Sequence, residues 1–221
     1  MSRSSNALRR GATLPEMLTF AVMLVLFLTI SVAIVAAVLD APNRLQAKVD
    51  TLQSAASGFY RLERDVRTSD LSGDFACTAT GTITCTQTAS TLTSTAALAI
   101  VSPMSGSTFE SSSTTGKPTW QGVIVYWIAA GSSGHTNLYR AFVAFASTIQ
   151  APNEPNAVQV QTAVTTAVAT TSPAIAMPSV SALDVDFGST SKVLGLKAFV
   201  TGSEGGKTNE TSFESDTFAR D

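Results

Sequence analysis

RRGATLPEMLTFAVMLVLFLTISVAIVAAVL, residues 9–39, is the stretch that decides the fold. Two arginines and a glycine open it, and residues 17–39 form an apolar run that contains no charge. As a helix with a rise of about 1.5 Å per residue, the run would be roughly 34 Å long, enough to cross the hydrocarbon core of a bilayer. Glu16 stands at the start of the run, where a carboxylate at the membrane edge is costly unless it has a partner. We therefore expect an N-terminal membrane helix with a functional glutamate in its first turn.

The charges around this run predict its orientation and limit how it is processed. Arg3, Arg9 and Arg10 precede it, so the N-terminus should stay in the cytoplasm and the C-terminal part should be exported. A secretory signal has an apolar region of about 7–15 residues followed by a small-residue cleavage site. This run is longer, and its end, AAVLD at residues 36–40, is a poor site of that kind. An uncleaved signal anchor and a cut ahead of the run are the two interpretations that compete.

The residues around Gly11 resemble the class III leader of type IV pilins and of type II secretion pseudopilins. In that family a basic leader ends in glycine, and the fifth residue after the cut is glutamate, as Glu16 would be here. The resemblance implies that prepilin peptidase cuts between Gly11 and Ala12, that the new amine of Ala12 is N-methylated, and that Glu16 directs assembly. Ala12 departs from the phenylalanine that the family usually has there. Residues 1–11 are then a cleaved leader, and residues 12–39 are the transmembrane and assembly helix.

Residues 40–68 change from a uniform apolar pattern to a periodic one. Apolar residues recur at spacings of three and four, and charged or polar residues occupy the opposite side. The apolar stripe is Leu45, Val49, Leu52, Ala56, Phe59, Leu62 and Val66, and the polar side is Arg44, Lys48, Asp50, Gln53, Arg61, Arg64 and Asp65. This pattern predicts an amphipathic extension of the helix whose stripe packs on a domain. A coiled coil is the alternative, but the stripe lasts only about three heptads.

Residues 69–221 are predicted to form an exported, β-rich globular domain. Its clearest feature is a hairpin that joins GVIVYWI at residues 122–128 to NLYRAFVAF at residues 137–145. Further strands are predicted at residues 97–101, 158–170, 180–187, 193–200 and 211–218. The turn-rich residues 69–93 and 105–119 are predicted loops, and Pro173 and Pro178 are predicted to mark a linker. The expected fold class is α+β, with the long N-terminal helix packed by its amphipathic half on an antiparallel sheet of at least four strands.

Two segments of this domain carry a further resemblance. The hairpin with VIVYW at residues 123–127 and LYR at residues 138–140 is similar to the central hairpin of PilW-like minor pilins and J-type pseudopilins. RLERDVRTS at residues 61–69 looks like the end of their long helix. The resemblance therefore implies a type IV pilin-like fold for the whole chain.

Composition and cysteine usage agree with an exported protein. The chain has 14 basic and 16 acidic residues, and without the three leader arginines it has 11 and 16, a net charge of −5. An acidic chain with no basic cluster argues against direct binding to nucleic acid. The two cysteines, Cys77 and Cys85, should form a disulfide because the exported side is oxidising. Two free buried thiols are the alternative.

The remaining candidate residues do not form a catalytic or metal-binding set. His135 is the only histidine and follows a glycine-rich turn, so an exposed turn residue is favoured over a triad member. Asp184 and Asp186 should share one face of a strand, but they offer too few oxygens for calcium. The aromatic residues Trp120, Tyr126, Trp127 and Tyr139 are predicted to pack against the helix or across strands, with a platform for a sugar or a base as the alternative. We expect no enzyme activity, no metal and no cofactor.

The functional expectation from the resemblance is structural. The chain would be a minor pilin or pseudopilin, inserted in the inner membrane, cut by prepilin peptidase and built into a type IV pilus or a type II secretion pseudopilus as a priming, tip or shaft subunit. Its partners would be other pilins through the N-terminal helix, the peptidase and the inner-membrane assembly platform. Secretion, DNA uptake in competence, and motility or adhesion stay open. The alternative is a membrane-anchored exported module that binds a ligand or surface and joins no filament.

Overall fold

The computed structural model describes residues 14–69, 74–78, 83–86, 90–94, 96–105, 108–131, 135–150, 155–170, 173–187, 193–204 and 207–218. The helices there are α1 (Leu14–Arg67) and α2 (Ala157–Val168). The strands are β1 (Phe75–Thr78), β2 (Cys85–Thr86), β3 (Ser90–Leu92), β4 (Ala96–Ser102), β5 (Met104–Ser105), β6 (Thr108–Phe109), β7 (Thr119–Ala130), β8 (Thr136–Gln150), β9 (Ala174–Met177), β10 (Val180–Phe187), β11 (Val193–Glu204) and β12 (Lys207–Phe218). By its internal contacts the chain divides into two compact units, of which one ends at Lys48 and the other begins at Val49.

The second unit confirms the α+β class with antiparallel strands. One sheet has six strands in the order β2-β1-β4-β7-β8-β9, and another has four in the order β12-β11-β10-β3. A separate pair, β5 and β6, forms a small hairpin. All of these pairs are antiparallel. The sequence predicted one sheet of at least four strands, and the described strands instead form two main sheets.

The central strand β7 explains why its sequence is apolar without alternation. Val123, Val125 and Trp127 belong to a core cluster that includes α2, whereas Ile124, Tyr126 and Ile128 belong to a core cluster that includes the second half of α1. Successive side chains point to opposite faces of a strand, so a strand that is covered on both faces needs apolar residues at every position. The hairpin predicted from this run is confirmed, and both of its strands extend beyond the predicted ends.

The second half of α1 covers residues from both sheets. Ala55, Phe59, Leu62 and Val66 are buried in one cluster with side chains of β4, β7, β10 and β11. Gly58 lies on the same side, and a Cβ atom built there would clash with the carbonyl oxygen of Ala176 in β9. The helix backbone can approach β9 this closely only because the residue is glycine.

The predicted stripe is therefore correct at Phe59, Leu62 and Val66, and it is wrong toward the N-terminus. Leu45 and Val49 are 60% and 53% exposed. Asp65 was predicted on the polar side and is instead buried, with 5% of its surface exposed. The physical reason is that two side chains of the six-stranded sheet, Tyr126 and Arg140, donate hydrogen bonds to its carboxylate.

The strand predicted at residues 158–170 is wrong, because this segment is the helix α2. Its buried residues, Val160, Ala163, Val164 and Ala167, follow helical spacing. Asn156 caps the helix, since its side chain accepts from the N–H of Gln159 while the Gln159 side chain accepts from the N–H of Asn156. Four threonine hydroxyls, those of Thr162, Thr165, Thr166 and Thr170, donate to carbonyls one turn back. The local hydrogen bonds and the apolar side together outweigh the β-propensity of valine and threonine.

Other predicted boundaries need smaller corrections. The strand at residues 180–187 is confirmed as β10, and those at 97–101, 193–200 and 211–218 are parts of β4, β11 and β12. The predicted linker between Pro173 and Pro178 contains β9, which pairs with β8. The predicted loops at residues 69–93 and 105–119 contain the short strands β1, β2, β3 and β6. Strands of two to four residues are too short to leave a periodic signal in the sequence.

Candidate assembly site

The N-terminal stretch of α1 presents apolar side chains on every side. The span Leu14–Leu39 has 26 residues and is long and apolar enough to cross a membrane. Each of its side chains is exposed except that of Ser31, which is half-buried. A helix of this length, about 39 Å, exceeds the thickness of the hydrocarbon core. Such a surface requires lipid or other apolar helices around it, and a membrane anchor and a signal sequence both meet this description.

The polar groups of this span are arranged to suit apolar surroundings. The hydroxyl of Thr19 donates to the carbonyl of Glu16 at 2.9 Å, and the hydroxyl of Thr29 donates to the carbonyl of Leu26 at 2.8 Å. Neither hydroxyl therefore needs water as a partner. Glu16 lies in the first turn and is exposed. The unsatisfied N–H groups of a helix N-terminus favour a negative charge at this position by about 0.3–1 kcal/mol.

The two residues of the predicted cleavage site, Gly11 and Ala12, lie outside the described residues. The arrangement that can be described is a single carboxylate at one end of an exposed apolar helix. Chemically, such a carboxylate can accept hydrogen bonds or pair with a cation, and apolar surroundings would strengthen that pairing. It does not provide a nucleophile with an adjacent base.

The disulfide predicted between Cys77 and Cys85 is confirmed. The two residues lie directly opposite each other in β1 and β2, with Cα atoms 4.1 Å apart and a sulfur–sulfur bond of 2.08 Å. The bond closes a short loop at the edge of the six-stranded sheet. For a loop of this length the chain-entropy model gives a stabilisation of about 2–3 kcal/mol. Both cysteines of the sequence are used in this bond.

A buried ionic cluster links α1 to the centre of the six-stranded sheet. Asp65 Oδ2 accepts a hydrogen bond from the Tyr126 hydroxyl at 2.7 Å and one from Arg140 Nε at 2.8 Å. Asp65 and Tyr126 are buried, and the Arg140 side chain is 17% exposed. The guanidinium carbon of Arg140 also lies 6.0 Å from the centre of the Tyr126 ring. The cluster consists of one anion, one cation and one phenol, which balances the buried charge.

The surroundings of the cluster keep its present charge state. Burial raises the pKa of the Tyr126 hydroxyl well above its ordinary value, and the negative charge of Asp65 raises it further. Burial disfavours the charge of Arg140, but the hydrogen bond to Asp65 and the electrostatic attraction of Tyr126 and Asp65 together outweigh it, so the pKa of the guanidinium is raised. Tyr126 therefore stays neutral and donates a hydrogen bond to Asp65, which is a structural role.

A second buried carboxylate fixes the end of α1. The hydroxyl of Ser69 lies 2.7 Å from Asp74 Oδ2, and Asp74 Oδ1 accepts from the N–H of Val101 at 3.1 Å. Asp74 and Ser69 are both buried. The chain after α1 is thereby joined to β4. The sequence did not predict that either aspartate is buried, because Asp65 is held by residues 61 and 75 positions away and Asp74 by Val101, 27 positions away.

The other candidate residues have structural surroundings. His135 is exposed, as predicted. Trp127 stacks on Tyr139 with ring centres 5.9 Å apart, and Trp120 is buried in the α2 cluster, so the predicted packing role of the aromatic residues is confirmed. Asp184 lies opposite Lys197 of β11 in the register of the four-stranded sheet. Within the part of the chain that the structure describes, no group of three or more His, Cys, Asp or Glu residues could hold a metal ion.

Comparison with known proteins adds no family: no family model matches this sequence, and neither the curated proteins nor the solved structures contain a significant match.

Proposed function

We propose that the chain is a minor pilin or pseudopilin that prepilin peptidase processes after Gly11 and that joins a filament through α1. The observation that carries the proposal is the position of Glu16, an acidic residue in the first turn of an exposed apolar helix and five residues beyond Gly11. A simple anchor has no need of a carboxylate at this place, where it lies next to the apolar core of the membrane. An assembly helix has a use for it.

The proposed step at Glu16 is a pairing of charges between subunits. Cleavage between Gly11 and Ala12 creates a new amine, which the peptidase methylates and which stays positively charged. The carboxylate of Glu16 in an incoming subunit then pairs with the Ala12 amine of a subunit already in the filament. In apolar surroundings an unpaired charge is far more costly than in water, so only the register that brings the two charges together is stable.

The exported unit supports the same function. A type IV pilin-like fold has a long helix whose second half lies across an antiparallel sheet, and here Phe59, Leu62 and Val66 of α1 pack on sheet residues. The arginines before the apolar run favour a cytoplasmic N-terminus, and the disulfide favours an exported, oxidising location for the domain. The proposed location is thus the inner membrane, followed by the filament. The proposed partners are other pilins, prepilin peptidase and the inner-membrane assembly platform.

Two variants test the proposal in cells that assemble the filament. Glu16→Ala should still be cut but should enter filaments at least about tenfold less, which corresponds to a loss of about 1.4 kcal/mol. Thr19→Ala, one turn further along the helix, is the matched control and should enter normally. The measurement is the amount of the protein in sheared filaments relative to the membrane fraction. Normal incorporation of Glu16→Ala would contradict the role given to this residue.

Cleavage is tested separately. N-terminal sequencing of the mature protein should give Ala12 as the first residue, and Gly11→Val should leave the leader uncut. A mature protein that starts at any other residue would contradict the class III interpretation.

The anchored ligand-binding module stays the second candidate, because the exposed span Leu14–Leu39 would serve equally as a plain anchor. Photocrosslinkers placed in this span separate the two functions. A filament subunit should crosslink to other pilins there, whereas a plain anchor should crosslink only to lipid.

A further inference from the structure

The exposed side of the last turns of α1 carries positive charge that the chain does not balance. Arg61 and Arg64 are exposed, and among the described residues no carboxylate forms an ion pair with either. Arg67 is also exposed, but it pairs with Glu63 one turn earlier. Arg64 is two positions from the buried Leu62, so it points about 200° away from it around the helix. Two guanidinium groups on this side are therefore available to carboxylates from outside the molecule.

The outer face of the four-stranded sheet carries the opposite charge. Asp186 of β10 and Asp216 of β12 lie on either side of Gly195 of β11 in the register of the sheet. Both aspartates are exposed, and neither has a hydrogen bond or an ion pair with another described residue. A Cβ atom built on Gly195 would lie 3.4 Å from Asp186 Cβ and 3.6 Å from Asp216 Oδ1. Because glycine has no side chain, these three residues form an open space between two carboxylates, which we call the aspartate notch.

Among the described residues, none supplies a cation to the aspartate notch. Lys197 is on the same face of β11, but its Nζ lies 3.4 Å from Glu214 Oε2 and 5.5 Å from the centre of the Phe199 ring. Asp184 adds a further carboxylate to this face, and its Oδ1 is buried without a hydrogen bond. Negative charges that share one face repel each other, and a cation placed between them relieves that repulsion.

The two charged surfaces lie on opposite sides of the second unit, so they cannot meet within one copy. Side chains alternate along a strand, and Val185 and Leu196, the neighbours of Asp186 and Gly195, belong to the core cluster that the last turns of α1 cover. The aspartate notch therefore faces away from α1. The two unpaired arginines face away from the sheet, on the far side of the helix.

We propose that the exposed side of α1 in one copy of this chain binds the aspartate notch of a second copy, with the guanidinium of Arg64 between Asp186 and Asp216. Strands β10 and β12 both pair with β11, so they are roughly 9–10 Å apart, which leaves room for a guanidinium between two carboxylates. The guanidinium has five N–H donors in one plane and can bind a carboxylate on each side. Arg61, less than one turn earlier, brings a second positive charge to the acidic face.

The occupant follows from charge complementarity within the same sequence. Each copy has two unpaired arginines on one side and two unpaired aspartates on the other, and only a second copy matches both sets at once. The contact joins two different surfaces, so each dimer keeps one free arginine side and one free notch. Such heterologous contacts add further copies and give open chains or rings. The contact involves the second unit only, so it stands or falls independently of the cut after Gly11 and of the role of Glu16.

Two charge reversals and their mixture test the contact with the full chain in a non-ionic detergent. Arg64→Glu should lower the self-associated fraction in analytical ultracentrifugation at low ionic strength at least about fivefold, and Asp186→Lys should do the same. An equimolar mixture of the two variants should associate again. The intact notch of the first variant binds the intact arginine of the second, and the two reversed charges attract each other. Lys117→Glu, at an exposed lysine elsewhere, is the matched control and should leave association unchanged.

Gly195→Val tests the notch without changing any charge. Valine suits a strand, so the variant should fold, but its side chain fills the space between the two carboxylates. The associated fraction should again fall at least about fivefold. Ser212→Val, at an exposed position of β12 outside the notch, should leave it unchanged. Near-ultraviolet circular dichroism checks that each variant is folded.

A carbodiimide crosslink identifies the partner residues. Arg64→Lys keeps the positive charge and supplies an amine, which the reagent couples to a carboxylate as an amide while it takes up the water that is lost. In a mixture of isotope-labelled and unlabelled copies, mass spectrometry should find peptides that join position 64 of one copy to Asp186 or Asp216 of another.

Four results would overturn the inference. These are a wild-type protein that does not associate at low ionic strength, an equimolar mixture of Arg64→Glu and Asp186→Lys that stays dissociated, association that Gly195→Val leaves unchanged, and association that a metal chelator abolishes. The last result would place a metal ion in the aspartate notch instead of an arginine.

Discussion

The beginning and the end of α1 belong to one helix, but they differ in how much of their apolar surface is buried. In the span Leu14–Leu39 the apolar side chains are exposed around the whole circumference. In the last turns only one side is apolar, and Phe59, Leu62 and Val66 on that side are buried. The comparison teaches that a uniform apolar pattern needs apolar surroundings on all sides, whereas a stripe needs them on a single side.

Their polar groups differ in the same way. Thr19 and Thr29 donate to carbonyls within their own helix, so the apolar span has no fixed side-chain partner elsewhere through these groups. Asp65 is held by Tyr126 and Arg140 of two strands, and these contacts keep the last turns of the helix in a fixed position on the sheet. The hydroxyls of the apolar span therefore need no polar surroundings, whereas the last turns are held on the sheet by polar contacts.

The largest expected effect on the free energy of unfolding comes from a substitution in the ionic cluster that holds the last turns of α1 on the sheet. Asp65→Ala would leave the guanidinium of Arg140 and the hydroxyl of Tyr126 without their shared acceptor inside the protein. Removing one partner of a buried ion pair costs about 3–5 kcal/mol, so the free energy of unfolding should fall by about this amount. The measurement is urea unfolding of the full chain in detergent, followed by near-ultraviolet circular dichroism.

Two further variants sharpen this prediction. Arg64→Ala, next to Asp65 and exposed, should change the free energy of unfolding by less than about 0.5 kcal/mol. Asp65→Asn keeps an acceptor but loses the charge, so its effect should lie between the two. An unfolding curve of Asp65→Ala that matches the wild type would show that the cluster does not hold α1 on the sheet.

A slightly smaller effect is expected when two leucines of α1 are compared, one in the apolar span and one in the last turns. Leu62 is fully buried and Leu28 is 52% exposed. Leu62→Ala should lower the free energy of unfolding by about 2–5 kcal/mol, because it removes buried surface and leaves a cavity. Leu28→Ala should leave unfolding of the second unit, which begins at Val49, unchanged within about 0.5 kcal/mol. Equal losses in the same urea experiment would refute the distinction between the apolar span and the last turns.

Much of the sheet could be predicted because its sequence has one dominant signal. The run at residues 122–128 is rich in β-branched and aromatic residues, and the strand at residues 180–187 alternates, so both were correctly located. Propensity and periodicity agree at these places. The division into two sheets could not be predicted, since it depends on contacts between strands that are far apart in the sequence, such as β3 with β10.

Helix α2 was missed because two signals conflict there. Valine and threonine favour strands, yet Val160, Ala163, Val164 and Ala167 follow helical spacing. The capping pair Asn156 and Gln159 was the signal that could have decided for a helix, since their spacing is that of a capping box. Here local hydrogen bonds and packing on the sheet outweigh residue propensity.

The candidate site was predicted where chemistry is local and missed where it is not. The disulfide was predicted from two cysteines on an oxidising side and is confirmed, whereas the structure places Glu16 in the first turn of α1 and its role stays a prediction. Asp65 was assigned to the polar side because a charge within a helix is usually exposed. Its partners, Tyr126 and Arg140, are separated from it by 61 and 75 positions, so no pattern within the helix could have indicated that it is buried.

The smallest expected effect is a pH dependence that comes from the fixed end of α1. In the unfolded chain Tyr126 loses its proton near pH 10, whereas in the folded protein its pKa is raised by burial and by Asp65. Above about pH 10 the unfolded state therefore releases a proton that the folded state keeps, which favours unfolding. The stabilisation is complete below pH 10 and is lost as the pH rises through the folded pKa.

Between about pH 9 and about pH 11, this group alone should lower the free energy of unfolding by about 1.4 kcal/mol. Tyr126→Phe removes the titrating hydroxyl, so the variant should lose this contribution to the pH dependence while starting from a lower stability at pH 9. The measurement is the difference between the wild-type and variant slopes in urea unfolding over that range, which cancels the other tyrosines. Parallel slopes would mean that Tyr126 titrates alike in both states and that the contact with Asp65 is open to water. The two ends of the helix would then differ in packing but no longer in how firmly their polar groups are held.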